Sequence, residues 1–237
     1  MEMLPTVQTK NQFSNEQPHL RLPGGNMLKA EELALAVNCV NNQLQGITNL
    51  QRMVTTLEFQ QVIDELSRFN DYSHRIIIAG VGKNANIAAK IAETMVSIGL
   101  PSLALNVSHA SHGDYGFVGP HDAIIYISKS GKTAELLACA QHIKSIKPEV
   151  YQLLLHLNSS FDQQHHFSRV LHCGDVVEGD EYQLAPTSST TTLLCALDTI
   201  SVVLSHRVGW SPRDFLRYHP NGSLGEKLRS ELGDESK

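Results

Sequence analysis

Short apolar runs alternate with amphipathic segments along the chain from about residue 28 onwards. The apolar runs predict strands at 75–79, 102–105, 123–127, 150–156 and 169–172. Apolar residues at helical spacing predict helices at 28–45, 53–69, 84–98, 132–143 and 188–206, and a short helix after the turn at 219–225. We expect the first two helices to be joined near Gly46.

Strands that alternate with helices imply a parallel sheet with both faces covered. The predicted fold class is therefore α/β, a three-layer sandwich around a five-stranded parallel sheet. In such sheets ligands bind outside the carboxyl ends of the strands. The loops that follow the predicted strands are where we expect functional residues.

The domain organisation follows from the same pattern. Residues 1–25 are polar and contain three prolines and a Gly-Gly pair, which predicts a flexible arm or an arm lying on a partner subunit. Residues 26–230 are expected to form a single domain, and residues 231–237 a tail. No internal repeat is visible.

The helix predicted at 188–206 is apolar on most of its circumference. A helix of this kind is either central in the core or packed against another subunit. No apolar segment approaches about 18 residues free of polar groups, so we expect no membrane span.

Composition narrows the functional classes. The 237 residues are 41% apolar and 18% charged, with a net charge of −5, which suits one well-buried core. Lys and Arg form no run or stripe, so nucleic-acid binding is not expected. The N-terminus lacks a signal pattern, and the four cysteines are far apart in the sequence. Reduced thiols in a cytoplasmic protein therefore fit better than disulfides or a zinc site.

The stretch ISKSGKTAE, residues 127–135, ends like a nucleotide-binding P-loop. A P-loop needs another glycine five residues before Gly131, where Tyr126 stands, so its backbone cannot wrap two phosphates. A strand that runs into a hydroxyl-rich turn and then a helix can hold one phosphate at the helix start. The hydroxyls of this cradle are those of Ser128, Ser130 and Thr133. The alternative is that they only cap the helix.

Two further loops follow the first and second predicted strands. In Gly80-Val-Gly-Lys, Gly82 permits close approach of a ligand and Lys83 adds positive charge at a helix start, although a simple tight turn has the same pattern. In the next loop, His109 and His112 stand near Asp114. Two candidate ligands do not make a metal site, so hydrogen-bonding histidines at a polar mouth are favoured.

The last two candidate loops lie in the C-terminal third. Glu178 belongs to a run of carboxylates that is either a surface loop or the source of a catalytic acid–base group. It precedes the Pro186 hydroxyl series, including Ser188 and Ser189, which predicts a second helix start that favours anions. His219 opens a rigid turn before the final short helix.

In order along the chain, the stretches GVGK, ASHGD, ISKSGKTAE, APTSSTTT and HPNGSLGEKL resemble the sugar isomerase (SIS) domain. More narrowly, they resemble the D-arabinose-5-phosphate isomerases. The resemblance runs from about Leu28 to Arg229. It implies a Rossmann-like SIS fold and, at the cradle, the phosphate of a sugar rather than that of a nucleotide.

The resemblance also implies roles for residues. It implies catalytic functions for Lys83, Glu135, Glu178 and His219. It implies substrate or phosphate binding by Gly82, His112, Ser128, Ser130, Thr133, Ser188 and Ser189. No metal and no cofactor are implied.

The implied reaction interconverts D-arabinose 5-phosphate and D-ribulose 5-phosphate through an enediol. Either Glu135 or Glu178 serves as the base, and His219 suits ring opening. Family members are homotetramers with active sites at subunit interfaces. They supply 3-deoxy-D-manno-octulosonate for lipopolysaccharide or capsule. The alternatives are a non-catalytic sugar-phosphate sensor and an isomerase of another sugar phosphate.

The sequence departs from the family pattern in four places. Asn106 replaces a histidine that can take zinc, and Asn221 replaces a turn glycine, where left-handed backbone is still tolerated. The segment 179–183 differs from the usual small-residue segment, which puts the loop shape in doubt. This sequence has no stretch resembling the paired CBS domains of longer members, so regulation through them is not expected.

Overall fold

The computed structural model describes residues 28–233. The predicted arm at 1–25 lies outside the described residues, as does most of the predicted tail. The five strands of the described part are Ile76–Gly80 (β1), Ser102–Asn106 (β2), Ala123–Ser128 (β3), Tyr151–His156 (β4) and Arg169–His172 (β5). They form one parallel sheet in the order β2-β1-β3-β4-β5. The predicted α/β fold and its five strands are confirmed.

The helices connect and cover these strands. They are Ala30–Met53 (α1), Leu57–Leu66 (α2), Lys83–Ser97 (α3), Val107–Ala110 (α4), Ala134–Ile146 (α5), Ser188–Arg207 (α6), Pro212–Tyr218 (α7) and Gly222–Leu232 (α8). Helices α4 and α7 were not predicted from the sequence. Both are short, and α7 buries no residue. A capping box of Ser211 and Asp214 and a proline at its first position mark its start instead of an apolar stripe.

Two apolar clusters lie on opposite faces of the sheet. Ile125 and Ile127 of β3 pack with the buried faces of α1, α2, α3 and α6. Ile124 and Tyr126 pack with α4 and α5 on the other face. Since successive side chains of a strand point to opposite faces, one apolar run supplies both clusters. The predicted three-layer arrangement is confirmed.

Helix α6 lies in the middle of the first cluster. Its Leu193, Leu197, Ile200 and Leu204 are at most 1% exposed. By length and hydropathy alone, Ser188–Arg207 also resembles a membrane-spanning helix, as core helices often do. The contacts of α6 with α1, α2 and α3 identify it as a core helix. Of the two positions expected for this helix, the structure therefore supports the central one in the core.

All four cysteines of the described chain are free thiols. Cys139 and Cys173 are buried, whereas Cys39 and Cys195 are half-buried. Burial raises the pKa of Cys173 to about 12, so this thiol stays protonated and packs as an apolar group.

The expected junction at Gly46 is wrong. Helix α1 continues through Gly46 to Met53, and the break before α2 comes at 54–56, where Thr56 accepts a hydrogen bond from Phe59 N. Gly46 is buried where α1 crosses α6. A Cβ atom added at this position would lie 2.3 Å from Thr192 Oγ1 and 3.1 Å from Val176 Cγ1. The glycine permits close helix packing and does not end the helix.

Alanine at position 46 is therefore expected to destabilise the fold despite its higher helix propensity. Alanine gains up to about 1 kcal/mol as a helix former. Overpacking against the β-branched side chain of Thr192 costs about 1–3 kcal/mol. Urea unfolding of Gly46→Ala should show a net loss of stability, while the control Gln51→Ala, at an exposed position of α1, stays within about 0.5 kcal/mol. A stabilised Gly46→Ala variant would contradict this packing.

Candidate active site

The turn after β3 forms a compact hydroxyl cradle. Ser128 Oγ and Thr133 Oγ1 are 3.0 Å apart. Gly131 N donates to Ser128 Oγ at 3.1 Å, and Lys132 N donates to Ser130 Oγ at 3.1 Å. These bonds fix the turn directly before the N-terminus of α5, where free N–H groups and the helix dipole favour an anion. The structure thus brings the three predicted cradle residues together.

The loop after β4 holds the cradle from the side. Leu157 N donates to Lys129 O at 3.0 Å, and Asn158 Nδ2 donates to Ser130 O at 3.0 Å. Gly131 has φ +72°, and a Cβ atom there would lie 2.6 Å from the Phe161 ring. This position needs glycine for its backbone conformation and for space. The cradle is therefore a rigid part of the sheet edge.

Glu178 lies beside the cradle as a buried carboxylate, 1% exposed. Its Oε2 accepts hydrogen bonds from Thr187 N at 2.9 Å and Ser189 N at 3.2 Å. Lys129 Nζ lies 2.8 Å from its Oε1. Glu178 therefore occupies the N-terminus of α6 and forms an ion pair with the residue between the two cradle serines.

The charge of Glu178 follows from these partners. Burial raises the pKa of its carboxyl group, but the Lys129 ammonium and the N–H groups of Ser189 and Thr187 outweigh burial. The net pKa is lower than that of an ordinary glutamate, so the carboxylate is ionised at neutral pH.

Ser188 and Ser189 lie inside the protein at the start of α6, at most 2% exposed. Ser189 N donates to Glu178 Oε2, whereas the buried Ser188 Oγ finds no hydrogen-bond partner among residues 28–233. Since the carboxylate of Glu178 occupies this helix start, the second predicted anion site is filled by the protein's own side chain. A direct substrate contact by the two serines stays a prediction.

The GVGK loop adjoins the end of β3. Gly82 caps α3 with φ +58°, and Lys83 begins α3 with an exposed side chain. Asn84 Nδ2 donates to Ile127 O at 3.3 Å, which ties the start of α3 to the strand that leads into the cradle. Lys83 thus stands at the same carboxyl edge of the sheet as the hydroxyl cradle.

Glu135 and His112 are both exposed at this edge. Glu135 lies in the first turn of α5, directly after the cradle. His112 follows α4, beyond the edge strand β2, and its N–H donates to His109 O at 2.9 Å. Within residues 28–233, no three His, Cys, Asp or Glu side chains are grouped to hold a metal ion.

His219 is not brought to the cradle within one chain. It follows α7, stacks on Phe215 with ring centroids 3.9 Å apart, and donates from Nδ1 to Phe215 O at 3.0 Å. It lines a cavity of about 520 Å³ together with 102–104 at the start of β2. All strands of a parallel sheet begin on one side and end on the other. His219 therefore lies on the side where the strands begin, whereas the cradle lies where β3 ends.

A larger cleft of about 680 Å³ lies beside the edge strand β5. His156 borders it and is buried, and burial together with the neighbouring His172 lowers the pKa of His156 to about 4. The imidazole is therefore neutral at pH 7 and adds no charge beside the cradle.

Three further residues of the site were not predicted from the sequence: Lys129, Asn158 and Thr187. The position of the Lys129 side chain could have been predicted from strand alternation, because the residue after Ser128 points to the opposite face of the sheet. Asn158 and Thr187 reach the site through contacts that are distant in sequence. No local pattern marks them.

The fold and the site together define a doubly wound α/β domain with a hydroxyl cradle at the carboxyl ends of its parallel strands. The family model described as "SIS domain" matches residues 72–203. The chain belongs to this family.

Individual relatives narrow the comparison. The arabinose 5-phosphate isomerase KpsF of Escherichia coli O6:H1 (strain CFT073) is 32% identical over 192 residues, which are 81% of this chain and 57% of the relative. The arabinose 5-phosphate isomerase KdsD of Francisella tularensis is 31% identical over 193 residues, which are 81% of this chain and 58% of the relative. The chain thus spans less than two thirds of the length of these relatives.

Solved structures give the same picture. A protein of E. coli CFT073 in complex with A5P is 28% identical, with a TM-score of 0.71 over 82% of this chain and 100% of that chain. A putative sugar-phosphate isomerase from Listeria monocytogenes is 22% identical, with a TM-score of 0.73 over 83% of this chain and 100% of that chain. The second likeness concerns the fold alone.

Proposed function

We propose that this chain is an aldose–ketose isomerase that interconverts D-arabinose 5-phosphate and D-ribulose 5-phosphate. The observation that carries the proposal is Glu178, a buried and ionised carboxylate paired with the residue between the two cradle serines. Its relatives of 31–32% identity are arabinose 5-phosphate isomerases, and a similar structure was solved with A5P. These names direct the choice of substrate.

The reaction moves a carbonyl group between C1 and C2. After the sugar ring opens, a base removes the proton from C2, the electron pair of that bond forms the C1–C2 double bond, and O1 takes up a proton. The enediol then loses the proton on O2 and gains one at C1, which leaves a ketone at C2. All protons are returned, so the isomerisation needs no redox cofactor.

We assign the proton transfers at carbon to Glu178. Two N–H groups and Lys129 fix its orientation and exclude water, whereas Glu135 is exposed in the first turn of α5. A base held in this way contributes about 10²–10⁴-fold. Lys83 stabilises the charge that develops on the enediolate oxygens. Glu135, at the cradle, contacts the sugar.

Phosphate binding holds the reacting carbons in place. The cradle residues and the N-terminus of α5 grip the ester anion, and this remote binding energy orients C1 and C2. Gly82, His112, Ser188 and Ser189 complete the proposed substrate contacts.

His219 is proposed to come from a neighbouring subunit of a homotetramer, because it lies away from the cradle of its own chain. Its imidazole suits proton transfer between oxygens during ring opening. Exposed apolar side chains along α1 are suited to a subunit contact; they are Leu33, Leu35, Val37, Val40, Leu44 and Ile47.

We place the enzyme in the cytoplasm, with residues 26–230 as its SIS domain. There it supplies arabinose 5-phosphate for 3-deoxy-D-manno-octulosonate in lipopolysaccharide or capsule.

The test is a panel of pentose and hexose phosphates offered to the purified chain, with the ketose or aldose product measured directly. Turnover of arabinose 5-phosphate and ribulose 5-phosphate at least tenfold above every other substrate supports the proposal. Preference for another sugar phosphate identifies a different isomerase, and binding without turnover identifies a sensor. Deuterium incorporation from heavy water at the reacting carbon distinguishes the enediol route from a hydride shift.

A further inference from the structure

Lys129 stands between Ser128 and Ser130 in the phosphate loop, but its side chain leaves the loop on the other face of the sheet. Ser128 points towards α5, where its hydroxyl meets Thr133. Lys129 directly follows β3 and continues its alternation, so its side chain lies on the side of Ile125 and Ile127, which face α3 and α6. There its Nζ lies 2.8 Å from Glu178 Oε1.

The ion pair is asymmetric. The carboxylate side chain of Glu178 is 1% exposed, whereas the Lys129 side chain is 44% exposed. A buried carboxylate depends strongly on its partners, because few water molecules can replace them. The groups that contact the Glu178 carboxylate are Lys129, which follows β3, the N–H and hydroxyl groups of Thr187, which caps α6, and the N–H group of Ser189 in α6. From α1, the uncharged Asn42 amide donates to Glu178 O, and Cys39 packs against Gly179.

Lys129 is also fixed by its backbone. Its carbonyl oxygen accepts the hydrogen bond from Leu157 N at 3.0 Å. One residue therefore connects the phosphate loop, the end of β4 and the buried carboxylate.

We propose that Lys129 is a positioning residue that aligns the Glu178 carboxylate with a substrate whose phosphate is held by the same loop. The inference rests on the proposed isomerase function, in which Glu178 acts on the sugar. Lys129 itself need not touch the reacting atoms. Its ammonium group sets the orientation and the ionisation of the base.

Lys129→Gln removes the charge while leaving an amide that can still donate to Glu178. We expect kcat to fall about 10–100-fold, because a small misplacement of a catalytic group has effects of this size. KM should change less than about threefold, because the phosphate ligands lie on the other face. The acid limb of the kcat/KM profile should move to higher pH, because loss of the cation raises the pKa of Glu178.

Two variants separate positioning from general damage. Lys129→Arg restores the charge and should recover most of kcat. Lys90→Gln is the matched control, since Lys90 is about as exposed as Lys129 but pairs with the partly exposed Asp198 away from the loop. It should retain parental kinetics, because exposed ion pairs contribute little.

A double-mutant cycle tests the connection directly. If Lys129 acts through Glu178, adding Lys129→Gln to Glu178→Gln should lower kcat less than about twofold further. The inference is overturned if the kcat losses of the two single variants multiply in the double variant. It is also overturned if Lys129→Arg is as slow as Lys129→Gln.

A second readout does not depend on turnover. Carbon-13 NMR of the glutamate carboxyl groups, with the Glu178 signal identified by its absence from Glu178→Gln, should show Glu178 titrating at higher pH in Lys129→Gln than in the parent. Identical titrations overturn the inference even if the enzyme is active. A parent without isomerase activity overturns the proposed function, while the titration still judges the Lys129–Glu178 pair.

Discussion

Replacement of Glu178 by glutamine is expected to lower kcat for ketose formation by about 10²–10⁴-fold, the range of general-base catalysis. Glutamine has nearly the same shape, and its carbonyl oxygen can still accept from the N–H groups of Thr187 and Ser189. It cannot take the C2 proton, and its amide cannot attract Lys129 as a carboxylate does. The loss should therefore fall on kcat and leave the helix start of α6 in place.

The measurement is steady-state kinetics on arabinose 5-phosphate, with circular dichroism to show that the variant is folded. Glu181→Gln is the matched control, because Glu181 lies in the same loop but is exposed; it should retain parental turnover. Glu135→Gln is run in parallel. If Glu135→Gln shows the larger loss in kcat and Glu178→Gln stays within tenfold of the parent, the base is Glu135.

The pH dependence of the parent follows from the sign of the pKa shift. The partners of Glu178 lower its pKa, so the ionised base persists to lower pH than an ordinary glutamate does. Activity that needs this carboxylate is full above its pKa and falls as pH drops through that value.

Most of the fold could be predicted from the sequence, because the central strands β1 and β3 are nearly continuous apolar runs. Parallel strands covered on both faces leave such runs unbroken by polar residues. The error at Gly46 arose because a glycine inside a helix looks the same whether it ends the helix or permits close packing. Only the neighbour, Thr192 of α6, distinguishes the two.

The site was predictable where its geometry is local. Ser128 meets Thr133, and Ser130 accepts from Lys132 N in the turn between them, because a strand, a turn and a helix follow one another within a few residues. The pairing of Lys129 with Glu178 was not predictable, because it depends on how α6 lies across the sheet. The same limit applies to His219, whose partners within one chain lie at the other edge of the sheet.

The second large effect concerns stability and is centred on Asp122, which immediately precedes β3. Its side chain is 2% exposed and accepts from Arg75 Nη2 at 2.8 Å, Arg75 Nε at 3.2 Å, Arg75 N at 3.1 Å and Gly119 N at 2.6 Å. Arg75 precedes β1 and also donates to Phe117 O at 2.8 Å. One carboxylate therefore holds together the starts of two neighbouring central strands.

Asp122→Asn is expected to lower the free energy of unfolding by about 3 kcal/mol, because it leaves the Arg75 guanidinium without its charged partner. Burial raises the pKa of Asp122, but hydrogen bonds from Arg75 and Gly119 outweigh burial and lower it overall. The stabilisation is therefore full above the carboxyl pKa of the unfolded chain, about 3.9, and is lost as pH falls through the folded pKa. Urea unfolding at pH 7 and at successively lower pH should show the difference between variant and parent shrinking in that acidic window.

The matched control is Asp162→Asn, at an exposed aspartate paired with Lys132, which should change stability by less than about 0.5 kcal/mol at pH 7. A difference that persists unchanged through the acidic window would assign the loss to packing rather than to the charge of Asp122.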